Sequence, residues 1–198
     1  EKQEVRKILG SLSIIDSCFS RDEAAFFLDP TPEDKYEAEY LAEEYLQLAE
    51  ERMFIKGENR FLFANDKVKG YFKVKLAKKE RYYHHKFSEF LQKNHPEDYY
   101  SRGKHLALSL QLSDTKTIVE AWQLLLLAYF RRSIETGNAG DFYNILNEIE
   151  ELINRLPTNT IDTQRHVLVE FTRGYQEFVK YNYKNALIHF QAITPSRL

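Results

Sequence analysis

One reversal of extended chain, set inside an otherwise helical pattern, constrains this sequence most. In Met53-Phe54-Ile55-Lys56-Gly57-Glu58-Asn59-Arg60-Phe61-Leu62-Phe63 two apolar runs flank Lys-Gly-Glu-Asn, a group of turn formers that favours a β-hairpin. Three helix-forming stretches precede it. The first carries Val5, Ile8, Leu9 and Leu12 at i, i+3, i+4 and i+7, with Gly10 as a mild interruption. Ser20-Arg21-Asp22-Glu23 has the Ser-x-x-Glu form of a capping box, whose side chains satisfy amides left free at a helix start, and predicts a short helix through Leu28. Thr31-Pro32-Glu33-Asp34 reads as a third start, with Thr at the cap, Pro at the first position and acids near the positive end of the dipole. That helix runs to about Arg52 and is expected to turn Tyr40, Leu41, Tyr45, Leu48 and Met53 inward. Three short helices closed by a hairpin make a winged-helix-like domain over residues 1–66.

Only amphipathic helices follow. Asn65-Asp66 can cap a connecting helix at 67–79, apolar at Val68, Tyr71, Phe72 and Leu76 and basic at Lys67, Lys69, Lys73, Lys75, Lys78 and Lys79. The stripe Tyr83, Phe87, Phe90, Leu91 ends near Asn94-His95-Pro96, where proline disfavours helix in the preceding residue and suits the first turn of a new one. Further helices are expected at about 97–112, 115–135, 141–156, 162–180 and 183–193, punctuated by Asp114, Thr136-Gly137-Asn138, Pro157 to Thr160 and Tyr181-Asn182. Phe142, Ile145, Leu146, Ile149, Leu152, Ile153 and Leu156 keep the helical period, so antiparallel pairs with short connections are the expected architecture. In the last pair Gly174, Tyr183, Ala186 and Phe190 fall at tetratricopeptide-repeat spacings: a small residue in one helix admits the next, whose Ala and aromatic fill the contact. Glu170 and Glu177 depart from that pattern, standing where bulky apolar groups are usual. The expected fold class is all-α with one small β-hairpin wing, continuing over 80–198 as a tetratricopeptide-like array truncated at its C-terminal end.

An apolar fraction of 43% with 29% charged residues belongs to an ordinary folded, soluble protein. The longest strongly apolar run, Leu124 to Phe130, falls far short of the roughly 20 residues a bilayer-spanning helix needs. The opening at Glu1 and the end at Ser196-Arg197-Leu198, straight after a helical pattern, predict a fragment of a longer chain. A lone Cys18 among apolar neighbours can form neither an intrachain disulfide nor a cysteine-based metal site, which fits a reducing cytoplasm. Charge is divided unevenly: residues 1–52 hold 14 acids against 6 bases, and residues 53–104 hold 6 acids against 13 bases. Patches of opposite sign can steer association or hold neighbouring domains together.

No self-contained reaction chemistry is visible. The Gly-x-x-x-x-Gly-Lys-Ser/Thr phosphate loop, a His-Glu-x-x-His pair and a Gly-x-Ser-x-Gly turn are all missing from the sequence. His84 and His85 point about 100 degrees apart on a helix, which opposes joint metal ligation. No catalytic residue, metal or cofactor is therefore expected in this segment. The third helix, with Glu33, Asp34, Glu37, Glu39, Glu43, Glu44, Glu50 and Glu51, opposes approach to DNA. Lys56, Arg60, Lys67, Lys69, Lys73, Arg81 and His84 are the candidates for contact with a partner protein or, alternatively, with phosphates in a sequence-independent patch. Trp122, with Ile118, Leu125, Leu126, Tyr129 and Phe130, has the spacing of helical core, while Tyr82, Tyr99, Tyr100 and Tyr175 are expected near the surface.

The stretch Phe61-Leu62-Phe63-Ala64-Asn65-Asp66, followed by Tyr71-Phe72 and then by Arg81-Tyr82-Tyr83-His84-His85, resembles the segment after the nucleotide-binding module of STAND-type signal-transduction ATPases. There a winged helix is followed by Phe-x-His-Asp, by Arg-x-x-x-His and by tetratricopeptide-like repeats. Asn65 stands where that family has His and retains the ability to cap a helix. The resemblance implies a transducer: ATP held by a preceding module, the winged helix packed against that module, and repeats that bind an effector, a protein partner or one another on oligomerisation.

Overall fold

The computed structural model describes residues 2–28, 35–76, 79–110, 115–137, 143–155 and 162–193, and over these the chain is helical apart from one two-stranded hairpin. It divides into two compact units, 1–86 and 87–198. The start expected at Thr31 to Asp34, and Lys78, Asp114, Asn138, Phe142 and the stretch Leu156 to Thr160, lie outside the described residues.

The first unit begins with α1 (Lys2–Leu12), whose Val5, Ile8, Leu9 and Leu12 are buried as their spacing predicts. Helix α2 (Arg21–Phe27) starts at the expected capping box, with the Glu23 amide donating to the Ser20 hydroxyl and the Ser20 amide to the Glu23 carboxylate. Helix α3 (Lys35–Glu51) corrects the sequence reading of its inward face. Tyr40 and Met53 are exposed and Leu41, Tyr45 and Leu48 only half-buried, while Ala38, Ala42, Leu46 and Ala49 are buried. Alanines let helix backbones approach closely, so the seam against α1 and α2 runs along small residues and the bulkier ones flank it. Met53 takes the left-handed conformation at φ 57°, with its amide donating to Glu50 O and the Phe54 amide to Ala49 O. This paired closure of a helix end reverses the chain into the hairpin.

Strands β1 (Ile55–Lys56) and β2 (Leu62–Phe63) pair antiparallel, Ile55 with Phe63 and Lys56 with Leu62. Gly57 has φ 140°, and a Cβ there would sit 2.0 Å from Arg60 O, so the turn requires glycine. Phe19, between α1 and α2, adds a bridge to Phe61 through two backbone hydrogen bonds. Element order, bridge and hairpin together place a small two-stranded wing after three helices. Helix α4 (Asp66–Leu76) is capped by Asn65, whose Oδ1 accepts from the Val68 amide at 3.1 Å. It packs on α1 through Phe72 and Leu76, beside Gly10, and so belongs to this unit. Helix α5 (Glu80–Asn94) supplies its residues through Lys86 here and the remainder to the second unit.

The second unit continues with α6 (Tyr99–Ser109), α7 (Thr115–Thr136), α8 (Tyr143–Asn154), α9 (Asp162–Val179) and α10 (Tyr183–Ile193). The Asp98 carboxylate caps α6 by accepting from the Ser101 amide. A core formed by Ile118, Ala121, Trp122, Leu125 and Tyr129 of α7 with Ile145, Ile149 and Leu152 of α8 and Leu168 of α9 joins the layers. Helix α9 ends as α3 does: Tyr181 sits at φ 60°, its amide donating to Phe178 O and the Asn182 amide to Glu177 O. Among the described residues no helix is long and apolar enough to cross a membrane.

Candidate functional site

The basic candidates divide by what their side chains already do. Arg60 donates to Cys18 Sγ and to Cys18 O at 2.9 Å, tying the wing to the segment before α2 and leaving Cys18 half-buried rather than a fully enclosed apolar group. Lys69 donates to Ile15 O at 2.8 Å and to Asp16 Oδ1 at 3.2 Å, satisfying a carbonyl beyond the end of α1. Lys73 pairs with Glu80 at 3.2 Å. His84 is buried, with Nε2 3.6 Å from Glu80 Oε1. Burial lowers its pKa below the usual imidazole range; the Glu80 carboxylate opposes this and Lys73 reinforces it. Lys69 and His84 are drawn into the framework, Arg60 and Lys73 are exposed but tied to a partner within the chain, and Lys56, Lys67 and Arg81 are exposed as well.

Sequence reasoning missed a basic groove between α1 and α4, because its cations come from helices read separately. A recess of about 440 Å³ is lined by Arg6, Lys7, Lys75 and Lys79, with Tyr71 among its walls. Lys75 lies over the Tyr71 ring at 5.6 Å, and Lys7 pairs with Glu4 at 3.5 Å. A second recess, of about 430 Å³ at the start of α6, holds Arg131, which Glu97 and Glu135 neutralise at 3.0 and 2.8 Å. Among the described residues no three His, Cys, Asp or Glu side chains gather as a metal site.

Of the four residues at repeat spacings, Gly174, Ala186 and Phe190 lie at the α9–α10 contact, while Tyr183 is largely exposed. A Cβ on Gly174 would lie 2.5 Å from the Phe190 ring, so the ring occupies the space glycine leaves. Ala186 is buried in the same seam, and the Tyr183 ring meets Phe178 edge-on at 5.6 Å. The departures Glu170 and Glu177 form polar ties. Glu170 Oε2 lies 2.7 Å from His189 Nδ1 across the pair, and Glu177 accepts from Asn182 at 2.7 Å over the turn. The His189 hydrogen bond holds the Glu170 carboxyl below its usual pKa, partly opposed by burial. Contacts 170 to 189 and 178 to 183 run in opposite directions, so α9 and α10 are antiparallel.

The same joint occurs earlier in the chain. Tyr100-Ser101-Arg102-Gly103 in α6 parallels Phe171-Thr172-Arg173-Gly174 in α9, and a Cβ on Gly103 would lie 3.0 Å from Leu125 Cγ. Leu125 follows buried Ala121 by four residues, as Phe190 follows buried Ala186. No family model, curated protein or solved structure matches the chain. Its internal repetition is thus the available guide to which faces are built for packing. Trp122 and Tyr129 lie in the core as expected; Tyr82 is exposed, while Tyr99, Tyr100 and Tyr175 pack partly buried against that core.

Proposed function

We propose that this chain is a relay and protein-interaction segment of a cytoplasmic signal-transduction ATPase of the STAND type. In this reading the winged-helix-like unit docks on an adjacent nucleotide-binding domain and the helical array passes that state to a partner. One observation carries it. Helix α3, which holds the recognition position of the wing, exposes Tyr36 (85%) and Tyr40 (70%) one turn apart amid Glu37, Glu39, Glu43 and Glu44. Exposed tyrosines on a helix suit a protein surface, since they bring large contact area and a polar tip, while carboxylates repel nucleic acid. The reading requires a phosphate-binding loop in the longer parent chain and ATP binding by that parent. It also requires that Tyr36→Ala with Tyr40→Ala weaken docking of the segment to the nucleotide-binding domain at least tenfold. A parent without the loop, or docking indifferent to both tyrosines, overturns it.

The α1–α4 groove favours a second reading, a DNA-associated regulator whose phosphate contacts come from Arg6, Lys75 and Lys79 together with exposed Lys56 and Lys67 of the wing and following helix. Such binding is strongest at low salt, so absence of retention on duplex DNA at about 50 mM salt removes it.

A further inference from the structure

Two recesses of nearly equal volume, about 430 and 440 Å³, differ in how their charge is balanced. The one at the start of α6 sets Arg131 and Arg132 among three carboxylates, Glu97, Asp98 and Glu135, two of which pair with Arg131. The one between α1 and α4 gathers Arg6, Lys7, Lys75 and Lys79 with no carboxylate among its described lining residues. Glu4 reaches Lys7 from outside the recess at 3.5 Å, but both side chains of that pair are about half exposed, and such surface pairs exchange readily for another anion. Glu80, just beyond Lys79, is engaged by Lys73 and His84. Cations brought together in this way repel one another, and an anion seated among them is held by the repulsion it removes.

We propose that the α1–α4 recess is a binding site for a small molecule carrying clustered phosphate groups, with Arg6 and Lys7 on one side and Lys75 and Lys79 on the other. The inference depends on neither reading above. Its volume lies within the range of small-molecule sites, and its cations converge from two elements on one place. A duplex instead spreads one charge over about every 1.7 Å of its axis and rewards a row of contacts, so convergence favours the compact anion. The Arg6 guanidinium presents a planar fork to two phosphate oxygens, and the lysines act as point charges. Gln3, one turn before Arg6 and Lys7, and Tyr71, one turn before Lys75, add neutral donors to the lining. The floor is fixed before any ligand arrives: Phe72 is 1% exposed, its ring held edge-on by Phe54 at 5.4 Å and tilted against Phe63 at 6.2 Å.

The test titrates inorganic tripolyphosphate into the whole chain by calorimetry at about 50 mM salt, for wild type, Arg6→Gln, Lys75→Gln and the control Arg52→Gln. All three substituted side chains are exposed, and far-ultraviolet circular dichroism checks that each variant folds. The expected result is one bound tripolyphosphate per chain, weakened at least about tenfold by Arg6→Gln and by Lys75→Gln and less than about twofold by Arg52→Gln, with single inorganic phosphate at least about tenfold weaker than tripolyphosphate. Phosphatidylcholine vesicles containing a bisphosphorylated inositol lipid separate the sources: co-sedimentation lost in Lys75→Gln assigns the phosphates to a lipid headgroup, and its absence beside tripolyphosphate binding assigns them to a soluble molecule, both in keeping with the site. Equal losses in all three variants mark diffuse attraction and overturn it. So does the absence of tripolyphosphate binding, or affinity unchanged in Arg6→Gln and Lys75→Gln. Retention on duplex DNA without tripolyphosphate binding overturns the compact ligand and leaves the DNA reading in place, while a parent chain lacking a phosphate-binding loop removes the ATPase reading and leaves this result untouched.

Discussion

Substituting Gly174 by alanine sets helix propensity against packing. A new Cβ would lie 2.5, 2.8 and 2.9 Å from three atoms of the Phe190 ring, against the roughly 3.5–4.0 Å at which carbon atoms rest. The ring must retreat by about 1 Å, yet it is bracketed by Phe171 at 5.6 Å and Tyr175 at 5.9 Å between centroids. Overpacking of this kind costs about 1–3 kcal/mol. Alanine within a helix regains about 1 kcal/mol relative to glycine. The net expectation is a loss of about 1 kcal/mol in the α9–α10 joint, read as about fivefold faster amide exchange across α10. Gly70 supplies the control: it lies inside α4 with nothing within 4 Å of a built Cβ, so Gly70→Ala slows exchange in α4. Adding Phe190→Leu to Gly174→Ala removes the ring edge and recovers protection that the single variant lost. Slower exchange in α10 of Gly174→Ala would refute the claim that glycine there makes room for Phe190.

Three further outcomes follow from individual contacts. Thr172→Val leaves the buried Trp122 Nε1–H without its 3.0 Å acceptor and destabilises the second unit by about 1–3 kcal/mol; urea unfolding followed by the single tryptophan measures this directly. Because the folded Glu170 carboxyl titrates below its unfolded value, its contribution is present above the ordinary carboxylate pKa and lost as pH falls through the folded one. Exchange in α9 and α10 therefore rises selectively in acid, and Glu170→Gln abolishes that selectivity. Met53→Gly relieves a left-handed backbone at an exposed side chain and stabilises the first unit by about 0.5–1 kcal/mol in thermal unfolding.

Helix existence and limits were legible because caps and periodicity act locally. The Ser20 box, the Asn65 cap and the bounds of α7, α9 and α10 needed no tertiary information. The inward face of α3 was not legible, because periodicity weighted by bulk selects tyrosines and leucines, whereas close approach to α1 and α2 selects Ala38, Ala42 and Ala49. The roles of Lys69 and Arg60 were equally hidden: each donates to a carbonyl more than 40 residues away, a pairing that only the folded chain creates. His84 read as a surface contact from its basic surroundings, but α5 turns it inward beside Tyr83. A signal for the second joint was present in Tyr100-Ser101-Arg102-Gly103, obscured by a longer interval to Ala121 than Gly174 has to Ala186.

The proposed relay is tested most directly by hydrogen exchange on the intact parent protein with ATP and with ADP bound. The account predicts that protection of α3 around Tyr36 and Tyr40 differs between the two nucleotide states and that Tyr36→Ala with Tyr40→Ala erases the difference. Identical protection of α3 in both states, in a parent that binds both nucleotides, would contradict it.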